Sequence, residues 1–284
     1  MKVLAISGGG IRGMLPAIWA KRRNYTSESF DLIAGTSTGS IIGAAIARGM
    51  EPAEIEALYR DKGRAIFPGF FGKAFSRIGR TFTQGLSAPL YSNQPLIDAL
   101  KEEFGETLMG ELRTRFMAVT YNYSQARPKV WKSWDPGDLN VPVWKVVAAS
   151  CAAPVYFSSV EIGGEWFGDG GTTGANNPSL VAIAEASKLA PGHLRDVSCV
   201  CLGTGIDIRV YRGTESFGPV QWATDIIQLM LDAPEQVVTH VSEQMIGNRY
   251  EYLNVPIDAT HAAMDDASQG NLDYLTALAN SIPV

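Results

Sequence analysis

The chain has 284 residues, a length that suits one large α/β domain. With 24 lysines and arginines against 29 acidic residues, the formal net charge is −5. That balance lacks the basic excess that a nucleic-acid polymer partner demands. Hydrophobic residues make up 46% and charged residues 19%, so the chain can bury a sizeable core and is not disordered. The most apolar helical stretch, Ile41–Ala47, is far short of the roughly 18 residues that a membrane span requires. The apolar start, Met1–Ser7, meets three glycines before it reaches signal-peptide length. The chain therefore reads as cytoplasmic.

In chain order, Lys2–Ser7 reads as a short buried strand, followed by a glycine turn and a helix over Met14–Arg23. Asp31–Ala34 is a second apolar run, then comes another tight turn and a helix over Ser40–Arg48. Pro52 suits the first turn of a helix that reaches Arg60. From Gly63 to Pro95 the periodicity weakens. This stretch mixes Phe67, Phe70, Phe71, Phe75 and Phe82 with Lys73, Arg77 and Arg80, and reads as a lid or interfacial segment. Asn93 is placed to cap a helix ending at Phe104.

Phe116–Tyr123 and Lys129–Trp134 are predicted strands, and Val143–Ala153 a buried helix ended by Pro154. Gly163-Gly164 joins Val160–Ile162 to Glu165–Phe167 as a two-residue hairpin. Pro178–Leu189 reads as helix, Val197–Leu202 as strand, Gln221–Met245 as a long amphipathic helix and Tyr250–Ile257 as a last strand. The alternation predicts a three-layer α/β/α fold with a mainly parallel sheet. No linker divides the chain, so residues 1–284 read as a single domain.

Three glycine-rich turns carry the chemistry. The first, Gly8-Gly9-Gly10-Ile11-Arg12-Gly13, lies between a strand and a helix. Its uncovered N–H groups and the helix N-terminus favour an anion, either a phosphate or a transient oxyanion. Formally it is also a dinucleotide fingerprint. Asp31 has nearly the spacing of the acidic ribose ligand, but it begins its apolar run instead of ending it. The second turn, Gly35-Thr36-Ser37-Thr38-Gly39, has the G-x-S-x-G pattern of a nucleophile elbow, or of a small-residue turn whose serine merely caps the helix. The third, Gly168-Asp169-Gly170-Gly171, can present the Asp169 carboxylate with little steric cover, or be an ordinary Asp-Gly turn.

Together and in this order, the three turns resemble those of the patatin-like phospholipases. The flanking segments Ala149–Phe157, Asn176-Asn177-Pro178 and Asp265–Ser268 are also similar, so the likeness runs along nearly the whole chain. A small departure is Ser40, where many relatives carry glycine. The resemblance implies lipid acyl hydrolysis by a Ser–Asp dyad, with Ser37 as nucleophile and Asp169 as base. It places the oxyanion hole at the N–H groups of Gly9 and Gly10. Arg12 and Gly13 would orient that loop or meet the lipid phosphate, and Gly8, Gly35, Gly39, Gly170 and Gly171 complete the motifs. It implies a membrane phospholipid as substrate, met peripherally at the inner face, and neither metal nor cofactor. Some small bacterial members are switched on by cyclic oligonucleotides in antiphage defence, which makes a cyclic nucleotide a candidate activator.

The residues also permit a soluble Ser–His–Asp esterase, because His193, His240 and His261 all follow Asp169. Of these, His261 is the one placed suitably after a strand. A nucleotide-binding module and a catalytically silent lipid-binding protein are readings from other classes. Cys151, Cys199 and Cys201 read as reduced core thiols. Cys199 and Cys201 share one face of a strand, but a metal site would need further ligands.

Overall fold

The computed structural model describes residues 1–67, 89–208, 210, 212–216 and 218–284. The core of the predicted lid, Phe70, Phe71, Phe75 and Phe82 with Lys73, Arg77 and Arg80, lies outside the described residues.

The central sheet is built from β1 (Lys2–Ile6), β2 (Leu32–Thr36), β3 (Arg115–Asn122), β4 (Arg127–Lys132), β5 (Val160–Ile162), β6 (Glu165–Asp169), β7 (Ser198–Leu202) and a strand at Tyr250–Leu253. β1, β2, β3, β7 and the Tyr250–Leu253 strand run parallel, while β4, β5 and β6 form antiparallel pairs at one side. All five residues of β2 are buried, as befits a parallel strand covered on both faces.

Alternate residues of the strands feed two cores. Leu4, Ile6, Ile33, Phe116 and Leu202 pack with α1 (Met14–Arg22), α2 (Thr38–Arg48), α3 (Pro52–Ile66), α4 (Gln94–Phe104) and α5 (Val143–Ser150). The C-terminal helix, Gln269–Ser281, joins the same layer, and Trp19 donates its indole N–H to the Ala279 carbonyl at 3.1 Å. Val3, Ala5, Leu32, Met117, Cys199 and Cys201 face the other way, against α6 (Ser179–Leu189) and the end of the Pro219–Ile246 helix. Each large side chain buried this way contributes about 2 kcal/mol. The result is the three-layer α/β/α arrangement expected from the alternation, with the three cysteines buried and free.

Some boundaries differ from the sequence reading. Helix α3 runs on to Ile66 because Leu58, Tyr59 and Ile66 continue its buried stripe. Helix α5 stops at Ser150, three residues early, and Ala152 and Ala153 leave it as a turn. Asn93 makes no side-chain cap; its amide is taken up by both backbone groups of Ser158. The last strand divides: Tyr250–Leu253 stays in the main sheet, and Pro256–Ile257 pairs with Ile206–Asp207. Asn254 makes the break, its side chain accepting from Gly205 N at 2.7 Å and Val255 N at 2.9 Å.

Candidate active site

β3 is the strand that brings the site together. On one edge it pairs with β4 through Met117–Asn122. β2 pairs with Arg115–Val119 and β6 with Thr120–Asn122, so both must share the opposite edge, end to end. Thr36 lies opposite Val119, and Asp169 lies opposite Thr120. The chain turns away at Ser37, and Asp169 takes the place that β2 would have filled next. Two residues far apart in sequence thus meet because Val119 and Thr120 are neighbours.

Ser37 sits at φ 52° and ψ −128° and makes no side-chain cap to the helix that follows. A non-glycine residue there is strained by about 1–3 kcal/mol. The flanking glycines make the turn sterically feasible: a Cβ on Gly39 would collide with the Ile6 carbonyl oxygen, and one on Gly35 with Gly39. Ser40 also has a role that its departure from the motif did not suggest. Its N–H and hydroxyl both donate to the Ser37 carbonyl, at 2.8 and 2.6 Å.

Asp169 is 3% exposed. Its N–H donates to the Ala152 carbonyl at 3.0 Å, and its Oδ1 accepts from Gly171 N at 2.7 Å. Ser37 lines the same pocket as this carboxylate. Burial pushes the carboxyl from an ordinary 3.8 up to about 6, while the hydrogen bond from Gly171 and the nearby Ser37 hydroxyl pull it down. A buried acid raised in this way, facing a hydroxyl in a cleft, is the signature of a group poised to take a proton near neutral pH.

The glycine loop after β1 forms the other wall. Gly8 donates to the Asn176 carbonyl at 3.0 Å, and its own carbonyl accepts from Thr204 Oγ1 and Asn176 Nδ2. Ile11 N donates to the Met264 carbonyl at 2.9 Å. The N–H groups of Gly9 and Gly10 between them find no acceptor among the described residues. Gly10 has φ +59°, and an added Cβ would strike the Met264 carbonyl. Ser37, Asp169, Gly9 and Gly10 line one pocket, closed by Phe67, Tyr91, Tyr156, Phe157, Leu231 and Met264. An apolar pocket with a few convergent polar groups suits an acyl chain.

Arg12 and Gly13 do not line this pocket. Arg12 is 1% exposed, with Nη2 3.5 Å from Asp232, and its Nε and Nη1 have no hydrogen-bond partner among the described residues. Gly13 lies against Thr38 and Tyr59, where a Cβ would not fit. The histidines lie apart from the pocket. His193 faces the Ser187 carbonyl, and His240 lines a separate acidic cavity with Asp207, Asp232, Glu235 and Glu243. His261 bonds Asn271 at 2.9 Å and stacks on Tyr274 at 3.8 Å. Replacing His261 with alanine is therefore expected to leave ester turnover within about twofold, whereas a loss of about 10³-fold in a folded variant would restore the histidine triad.

Sequence reasoning assigned no role to Tyr91, Tyr156, Leu231 or Thr204, which come from distant parts of the chain. Nor did it assign one to Glu235, which the Ser7 hydroxyl reaches at 2.9 Å just before the glycine loop.

A serine on a strained turn and a buried carboxylate in one apolar pocket suit ester hydrolysis, and the family match gives the class, a carboxylic ester hydrolase. The chain belongs to the patatin-like phospholipase family, whose sequence model matches residues 4–183. It is 31% identical over 260 residues to a cGAMP-activated phospholipase of Pseudomonas aeruginosa, covering 87% of this chain and 76% of that protein. It is 25% identical over 325 residues to patatin group M-1 of Solanum tuberosum, covering 99% and 83%. Among solved structures, VipD from Legionella pneumophila aligns with 99% of this chain and 66% of its own, with 14% identity and a TM-score of 0.46.

Proposed function

We propose that the protein is a phospholipase A-type acyl hydrolase working through Ser37 and Asp169. The observation that carries this reading is the meeting of Ser37, on its strained turn, and the buried Asp169 carboxylate in one apolar pocket, where burial raises that carboxyl to about 6. Ser37 Oγ attacks the ester carbonyl of a membrane phospholipid while Asp169 takes its proton. The negative charge that forms on the carbonyl oxygen meets the N–H groups of Gly9 and Gly10, and each such donor is worth about 3 kcal/mol. Collapse expels the lysolipid alkoxide, which recovers the proton from Asp169. Water then attacks the acyl-serine, with Asp169 again as base, and releases the fatty acid. Arg12 acts by tying the glycine loop to Asp232 of the Pro219–Ile246 helix, since its burial keeps it from the substrate.

A fluorophosphonate probe tests the reading directly. The expected result is one adduct, on Ser37, that abolishes fatty-acid release from phospholipid vesicles. An adduct elsewhere, or full activity after labelling of Ser37, defeats it.

A second reading concerns control. The 31% identity over 87% of the chain to an enzyme named for cGAMP activation favours a cyclic-nucleotide activator and a role in antiviral defence. Adding cGAMP should raise fatty-acid release by about tenfold or more. An unchanged rate would reject activation and leave the hydrolase standing. No helix among the described residues is long and apolar enough to cross a membrane. In this reading the protein meets its substrate peripherally, at the cytoplasmic face.

A further inference from the structure

We infer that Ser150 is a positioning residue whose hydroxyl, together with the Ala152 carbonyl, brackets Ser37 and Asp169 and sets the distance between them. The inference rests on the Ser–Asp reading above.

Ser150 is the last residue of α5 and is fully buried. Its Oγ accepts from the Ser37 N–H at 2.9 Å and donates to the Val119 carbonyl at 2.8 Å. Those two backbone groups stand where β2 leaves β3, so the hydroxyl relays a hydrogen bond across the point of departure. Two residues later, the Ala152 carbonyl accepts the Asp169 N–H at 3.0 Å. One short segment thus holds the backbone of both partners, and β3 holds the same two places through Val119 and Thr120.

The strain at Ser37 gives the bracket its purpose. Ser40 fixes the Ser37 carbonyl from below, and Ser150 fixes the N–H. Without the Ser150 hydroxyl, the turn can relax from φ 52° and carry Oγ away from the Asp169 carboxylate. A misplacement of about 1 Å at a reacting group can cost 100-fold in rate with little change in binding.

The test uses a short soluble ester, so that membrane contact does not enter. Ser150→Ala should lower kcat and the rate of fluorophosphonate labelling about 100-fold, with KM within about twofold. Ser150→Cys, which is slightly larger and keeps a weaker donor and acceptor, should fall between it and the wild type. Ser179→Ala removes another buried hydroxyl, one bonded to Ser242 and Tyr250 far from the pocket. It should lower the melting temperature comparably and keep kcat. The bracket is refuted if both Ser150 variants keep wild-type kcat, or if they behave like Ser179→Ala. Ser37→Ala runs alongside: retained turnover there would remove the Ser–Asp reading itself, a different failure from retained turnover at Ser150.

Discussion

Ser37→Ala is expected to lower ester hydrolysis by about 10⁴-fold or more, Asp169→Asn to cost nearly as much, and the double variant to be no worse than Ser37→Ala alone. The reason is chemical division of labour. A serine hydroxyl is a weak nucleophile until a base takes its proton, and Asp169 has nothing to activate once the hydroxyl is gone. The amide in Asp169→Asn would keep an oxygen to accept from Gly171, so the turn that follows should persist. What the variant loses is the ability to take a proton. Initial rates on a short-chain ester and on phospholipid vesicles measure the losses, and circular dichroism checks the fold. Losses that multiply in the double variant would show that the two residues act in separate steps. Retained turnover in Ser37→Ala would exclude it as the nucleophile.

The parts legible in the sequence were those where one residue type has a local steric reason to be present. A Cβ on Gly39 would collide with the backbone of β1, and one on Gly170 with the carbonyl of Val119. No other residue type fits, so the three glycine turns stood out. The parallel strands were legible for a similar reason, since burial on both faces leaves an unbroken apolar run such as Leu32–Ala34. The meeting of β2 and β6 on one edge of β3 was not legible. It depends on pairing register between segments far apart in sequence, which hydrophobic patterning does not encode. Ser150 escaped for the same reason. In sequence it is a hydroxyl at the end of an apolar helix, and only the fold places the Ser37 N–H against it. The lipid-facing rim was read from Phe70, Phe71 and their basic neighbours, which lie outside the described residues.

Asp169→Asn should also make the protein more stable, by about 3 kcal/mol above neutral pH, while it abolishes activity. An aspartate in the unfolded chain titrates near 3.9, and burial holds this one at about 6 in the fold. Between those values the folded protein binds a proton that the unfolded chain has released. Stability therefore falls as pH rises through this window, and above it the full cost of a buried carboxylate remains. Asparagine carries no charge, so it escapes that cost and can still accept from Gly171 N. The gain should appear as a melting temperature roughly 5 °C higher at pH 8, shrinking to nothing near pH 4. Over the same window the wild-type kcat/KM should climb to a plateau, because only the ionised carboxylate can accept the serine proton. Stability lost and activity gained would then titrate together, as expected if the site buries a charge that the fold would be better without. If Asp169→Asn proved less stable than the wild type at pH 8, the carboxylate would instead be stabilised where it lies, and the pH dependence of the reaction would belong to another group.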